Sequence, residues 1–365
     1  MYDQIRNDTL FGMLYAVVSA LFLAACCYLL FRQGNAFARD VTPPVRLRRW
    51  TAAYFAATAV CHLWYMQIFF LTSAEDIMMT DLIGGLLDSV LAVPLVICVM
   101  LNMLQDRRRP LWPIPLMIAP FVVGEVYSIA TLSYAVIPML HVYLLLLSIC
   151  IAIYMFRATR QYGRWLRDNY ADLEHKEVWQ SLVVLALMLL LFVFYTFLGN
   201  VTLFLYAYQL FDIVFLGYLL WRVETLSDLS IPVNDPSSPT RNHLALPPGT
   251  CKNIGQLLQQ RCIDTQLYLQ HDMTLAQLAK TIGTNRLYLS QYFSSQGTTY
   301  NNYINDLRIN HFVHLYRDAA DTQRSYTIQQ LALESGYRSY STFSDVIKRK
   351  TGKSVRAWMK ELGEP

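Results

Sequence analysis

Long apolar runs fill the first part of the chain, and short amphipathic segments fill the last. Up to about residue 223 the polar positions fall between apolar stretches rather than within them. A bilayer core takes roughly 20 apolar residues per helical span. Seven runs reach that length: Leu10–Phe31, Thr51–Leu71, Leu82–Leu104, Leu111–Leu132, Tyr134–Phe156, Val178–Leu198 and Val201–Trp221. The first does not read as a signal peptide. Its leader sets Asp3 and Asp8 against Arg6, and the run is too long for an h-region. Beyond residue 224 the apolar positions recur at helical spacing in short segments punctuated by glycine. The expected fold is all-α, a seven-helix transmembrane bundle followed by a second all-α domain. The expected domains are 1–223, a linker over 224–250, and 251–365.

Composition sharpens the division. The chain is 55% hydrophobic and only 15% charged, where a soluble protein is about a quarter charged. Nearly all the excess lies before Glu224. Loop charge then sets the orientation. Thirteen basic residues, from Arg32 to Lys176, sit in the loops after the first, third and fifth runs. The opposite face has Arg6 alone, with Glu75, Asp76 and Asp81. The basic face is cytoplasmic, so an odd number of spans puts the N-terminus outside and residues from 224 onward in the cytoplasm. Arg157, Arg160, Arg164 and Arg167 share one helical face, which suits anionic headgroups or else contacts the C-terminal domain. None of the seven cysteines lies in an outward loop, and none shows C-x-x-C spacing, so neither a disulfide framework nor a metal site is expected.

Five ionisable residues fall inside spans: His62, Asp88, Glu125, His141 and Asp212. Such residues usually face the bundle interior. They form either a membrane sensor pocket or hydrogen bonds between helices, with Asp88 and Glu125 the better pocket candidates. Pro94, Pro113, Pro115, Pro120 and Pro138 are candidate kinks. There is no Walker motif, H-E-x-x-H, G-x-S-x-G or inverted repeat, so neither an enzyme nor a cofactor is expected.

The C-terminal part repeats itself. TLAQLAKTIG (Thr274–Gly283) aligns with TIQQLALESG (Thr327–Gly336), 53 residues on. Each copy offers a capping box, Thr274 with Gln277 and Thr327 with Gln330, and ends in a glycine suited to a left-handed turn. Each leads into a second amphipathic helix, capped by Asn285 or Ser339. Helix, glycine turn and helix make a helix-turn-helix. Gly297-x-Thr299-x-x-x-Tyr303 is echoed by Gly352-x-Ser354-x-x-x-Trp358. A helical pattern from Tyr300 to Tyr316 joins the copies, so two recognition helices could enter successive major-groove segments about 34 Å apart.

With these elements in this order, residues from about Cys251 to Lys360 resemble the DNA-binding domain of the AraC/XylS family of bacterial regulators. The match includes the LRI of the joining helix and the terminal GYRS…TFSDVIKRKTGKS. The apolar half lies outside it. Its place before such a domain resembles the membrane-tethered regulators of the Bacteroides group. Val355 stands where the family usually has proline, Ile347 where it commonly has Phe, and Phe312 where it often has Ala. Asp345 and Gln291 occupy places where relatives often carry Arg.

The resemblance implies base-reading side chains Arg286, Leu287, Ser290 and Gln291 on the first recognition helix, and Tyr340, Ser341, Ser344 and Asp345 on the second. Gln291 suits adenine and Asp345 suits cytosine N4, unless Asp345 turns away to pair with Arg349. Lys348, Arg349, Lys350 and Lys353 are phosphate candidates, or else a solvated face. His311 and His314 read as structural residues rather than metal ligands.

These features point to a regulator in the bacterial inner (cytoplasmic) membrane. Its expected partners are double-stranded DNA, membrane lipid, a second copy as a homodimer and an unknown signal ligand. Two rival readings remain at this stage. The bundle is only an anchor and the DNA-binding half is released by cleavage within 224–250, or the bundle is transporter-like with an appended regulator.

Overall fold

The computed structural model describes residues 8–32, 43–173, 176–184, 186–187, 190, 201–229, 248–322 and 326–362. The chain divides into two compact units. One comprises Met1–Tyr162 with Val178–Ser230, and the other Gly163–Glu177 with Ile231–Pro365. Every named element in either unit is helical.

The first unit holds α1 (Thr9–Phe31), α2 (Val45–Tyr65), α3 (Ala74–Leu87), α4 (Val93–Met103), α5 (Pro113–Thr131), most of α6 (Ile137–Asn169) and α7 (Val201–Thr225). Among the described residues five helices are long and apolar enough to cross a membrane: Thr9–Phe31, Ala74–Met103, Pro113–Thr131, Ile137–Asn169 and Leu203–Thr225. They coincide with five of the seven expected spans. Of the remaining two, Thr51–Leu71 falls on α2, whose first turns carry Arg46, Arg48 and Arg49, and on the 3-10 turn Met66–Phe69. About half of Val178–Leu198, including all of 191–198, lies outside the described residues.

Local chemistry accounts for the irregular points. The Asp8 carboxylate accepts from Phe11 N at 3.1 Å and starts α1. Arg48 Nε donates to the Leu29 carbonyl at 2.8 Å and satisfies part of its end. α3 and α4 form one continuous helix with a π turn at Asp88–Ala92. The cause is Pro94, which lacks an N–H and crowds the carbonyl four residues before it, so the turn ahead of it widens. Pro113 and Pro115 sit in the first turn of α5, and Pro138 in that of α6, where proline is tolerated. Pro120 alone among the other candidates lies inside a helix. Arg109, one of the loop arginines, is buried. It donates to the Leu104 carbonyl at 2.9 Å and pairs with Asp106 at 2.8 Å, so it holds the loop rather than facing lipid.

The second unit holds α8 (Pro248–Leu258), α9 (Leu275–Ile282), α10 (Arg286–Ser295), α11 (Tyr300–Asp321), α12 (Ile328–Glu334), α13 (Tyr340–Thr351) and α14 (Val355–Leu362). It has two apolar cores. Ile254, Leu278, Leu289, Phe293 and Ile304 belong to the first, and Phe312, Leu331, Phe343, Ile347 and Met359 to the second. α11 contributes to both, and its 22 residues make a rod about 33 Å long. Phe312, Ile347 and Val355 share the second core.

Candidate functional site

Both copies of the repeat fold as the capping pattern requires. Gln277 N donates to Thr274 Oγ1 at 3.2 Å, and Thr274 N to Gln277 Oε1 at 2.8 Å. The second copy repeats this with Gln330 N to Thr327 Oγ1 at 3.1 Å and Thr327 N to Gln330 Oε1 at 3.0 Å. Asn285 Oδ1 accepts from Tyr288 N at 2.8 Å to open α10, and Ser339 Oγ accepts from Thr342 N at 3.2 Å to open α13. The glycine echo is a cap as well. Thr299 Oγ1 takes Asn302 N, and Ser354 Oγ takes Ala357 N, at 3.2 and 3.3 Å.

Each recognition helix buries one face and offers the other. Leu289 and Phe293 of α10, and Phe343, Val346 and Ile347 of α13, are buried. Leu287, Tyr340, Ser341 and Asp345 are exposed, while Arg286, Ser290, Gln291 and Ser344 are half-buried at the edge. All eight base-reading candidates therefore keep some exposure. Arg349 Nε donates to the Asp345 main-chain carbonyl at 3.4 Å, and its Nη1 lies 3.9 Å from Glu177. Among the phosphate candidates, Lys350 pairs with Asp306 and Lys353 with Glu361, whereas Lys348 is exposed.

A residue with no assigned role in the sequence holds the two halves together. Arg308, from the LRI of α11, is only 1% exposed. Its Nε donates to the Tyr268 carbonyl at 2.8 Å and its Nη2 to the Gln270 carbonyl at 2.7 Å. Its guanidinium carbon lies 5.6 Å from the centre of the Tyr337 ring, in the second helix-turn-helix. Gly336 meets the same place from the other side. Its φ is +87°, and a Cβ there would come within 2.7 Å of the Leu269 backbone. His271 Nδ1 and the Gly336 carbonyl are 3.2 Å apart. The loop before α9 is thereby clamped between the two helix-turn-helix units.

The segment 163–177 belongs to this unit. Asn301 Nδ2 donates to the Tyr170 and Ala171 carbonyls at 3.1 and 2.5 Å, and Asn305 Nδ2 to that of Ala171 at 3.1 Å. Ala171 joins the first core, and Tyr170 bridges to Thr274. Arg286 Nε donates to Asn169 Oδ1 at 3.0 Å, so one base-reading candidate already holds a partner. His311 Nδ1 lies 3.4 Å from the Tyr268 hydroxyl, and His314 Nδ1 lies 3.0 Å from Asp318.

Residues 257–361 match the sequence profile of a family described as a helix-turn-helix domain. The chain carries an AraC-type helix-turn-helix domain. This domain is a DNA-binding module of transcription regulators, and the matched span runs from the end of α8 through both recognition helices to α14. No curated protein and no solved structure matches the chain. The domain's two cores meet along α11, and Arg308 ties the loop before α9 to Tyr337 of the second helix-turn-helix.

In the first unit, four of the five candidates for a sensor pocket, His62, Asp88, Glu125 and His141, line one cavity of about 620 Å³. Asp212 is not part of its wall but lies 3.6 Å from His62 Nε2. The sequence placed the five candidates in five separate spans.

Proposed function

We propose that this protein is a membrane-bound, sequence-specific transcription regulator. Its two helix-turn-helix units read promoter DNA, and a seven-span bundle with its N-terminus outside senses a signal. The observation that carries the reading is the AraC-type domain, whose two recognition helices α10 and α13 present polar edges from a single clamped unit. Arg286, Leu287, Ser290 and Gln291 read one half-site; Tyr340, Ser341, Ser344 and Asp345 read the other. Lys348 and Arg349 contact phosphate, with Lys350 and Lys353 joining once their carboxylate partners are exchanged for it. Domain roles follow the divisions 1–223, 224–250 and 251–365, with the DNA-reading half in the cytoplasm of a bacterium and the bundle in its inner membrane.

The chain path supports a coupling route. α6 runs unbroken to Asn169, and the next two residues bond to Asn301 and Asn305 of the DNA-reading unit. A change in α6 then bears on Arg286 through Asn169. Dimerisation of the bundle raises the effective concentration of two reading units on paired sites. The test is chromatin occupancy of the full-length protein, tagged at its C-terminus and shown by blotting to remain intact. Discrete promoter peaks from the intact protein are expected. Peaks found only after residues 1–223 are deleted would refute reading by the tethered form.

A further inference from the structure

The cavity in the first unit is lined by three carboxyl groups beside His62 and His141. We propose that it binds a small organic ammonium ion, a cationic amine or quaternary head on an apolar or aryl body. This deepens the sensor reading above and rests on it for its regulatory consequence. Among the described residues Asp81, Asp88 and Glu125 line the cavity with His62 and His141, and no lysine or arginine does. Two of the carboxyls already receive a phenol. Tyr134 donates to Asp81 Oδ2 at 3.0 Å and Tyr65 to Asp88 Oδ2 at 3.1 Å.

Glu125 differs from both. It is 8% exposed, and its Oε2 has no hydrogen-bond partner among the described residues. Its Oε1 lies against Gly85, where a Cβ would come within 3.0 Å, so that glycine leaves the room the carboxyl occupies. A buried carboxylate without a donor is costly, and a ligand that brings an N–H or a positive charge removes the cost. Much of the remaining wall is aromatic, with rings of Phe11, Tyr15, Tyr54, Phe69 and Tyr208. Ring faces attract an ammonium group, more strongly when it leaves water. The volume suits a small molecule. The described residues hold no cluster of three or more His, Cys, Asp or Glu able to hold a metal ion. An anion would meet the carboxyls as repulsion.

The experiment is calorimetric titration of the full-length protein in phosphatidylcholine nanodiscs. The probes are benzyltrimethylammonium and phenethylamine, with 2-phenylethanol and phenylacetate as the neutral and anionic counterparts. Both cations should bind, the alcohol roughly tenfold more weakly or worse, and phenylacetate not at all. Glu125→Gln should weaken both cations by roughly tenfold while leaving the alcohol unchanged. Should that variant unfold at a lower temperature than the parent, Phe69→Ala, which removes a ring and no charge, should weaken the quaternary cation instead. Absence of cation binding at millimolar concentration, equal binding of the alcohol, or unchanged cation affinity in these variants would overturn the site. Promoter occupancy with and without the tighter cation separates the two readings. Binding without a change in occupancy keeps the ammonium site and removes the sensor role. Occupancy without any cation binding removes the site and leaves the DNA-binding role standing.

Discussion

At the scale of single residues, the groups that matter most to the DNA-reading unit are buried where α11, the loop before α9 and the second helix-turn-helix meet. Gly336 was legible as a helix-ending glycine, because the repeat places it opposite Gly283. Its second constraint, contact with the Leu269 backbone, was not, since residues 67 positions apart share no local pattern. Gly336→Ala should therefore destabilise the unit by about 2 kcal/mol or more, while Gly283→Ala, whose Cβ meets only the end of Arg261 at 3.4 Å, should cost less. Thermal unfolding of the two variants checks the order. Arg308→Ala leaves the Tyr268 and Gln270 carbonyls without their donor and should cost about 3 kcal/mol. It should weaken binding to a two-half-site operator more than to a single half-site. Cys262 lies in the first core, and burial pushes its thiol up to about 11. A thiol-alkylating reagent at neutral pH should spare Cys262 until the unit unfolds, as peptide mass spectrometry would show. Between the ordinary value of 9.0 and about 11, the unfolded chain releases a proton that the folded unit keeps, so stability should fall as pH rises through that window.

Secondary-structure elements were the most legible level. Capping boxes, N-caps and glycine turns are set by side chains three residues apart and by one backbone conformation, so short stretches such as Thr274–Gly283 state them outright. The recognition helices followed, with Leu289 and Phe343 marking their buried faces. Ion pairing was less legible. By sequence Lys350 and Lys353 are phosphate candidates or a solvated face, whereas in the structure they pair with Asp306 and Glu361, 44 and 8 residues away. Lys348→Ala should lower affinity almost equally for all DNA sequences and reduce the salt slope by about one, whereas Gln291→Ala should relax preference at one base position. Titration at several salt concentrations against matched and mismatched operators distinguishes them. If Lys348→Ala changed base preference, its assignment to phosphate would fail.

On the scale of the whole molecule, the two compact units do not follow a single cut in the sequence, because 163–177 joins the C-terminal unit. Replacing Asn301 and Asn305 with Ala removes the donors that hold the Tyr170 and Ala171 carbonyls. Hydrogen exchange in the full-length protein should then lose protection around 170–173. Unchanged protection would show that the segment is held by other means. The orientation is equally open to test. An impermeant thiol reagent should label Gln4→Cys from outside the cell, and Ser237→Cys only after permeabilisation. By itself the sequence determined the all-helical class, the apolar half, the paired helix-turn-helix units and their caps. Those features depend on hydrophobic periodicity and on interactions within a few residues. Only the tertiary structure decided that His62, Asp88, Glu125 and His141 share a cavity with Asp81, that Arg308 clamps the two reading units, and that the segment 163–177 docks on Asn301 and Asn305. Each of these joins groups dozens to more than a hundred positions apart, and burial and hydrogen bonding at such separations leave no periodic trace in the chain.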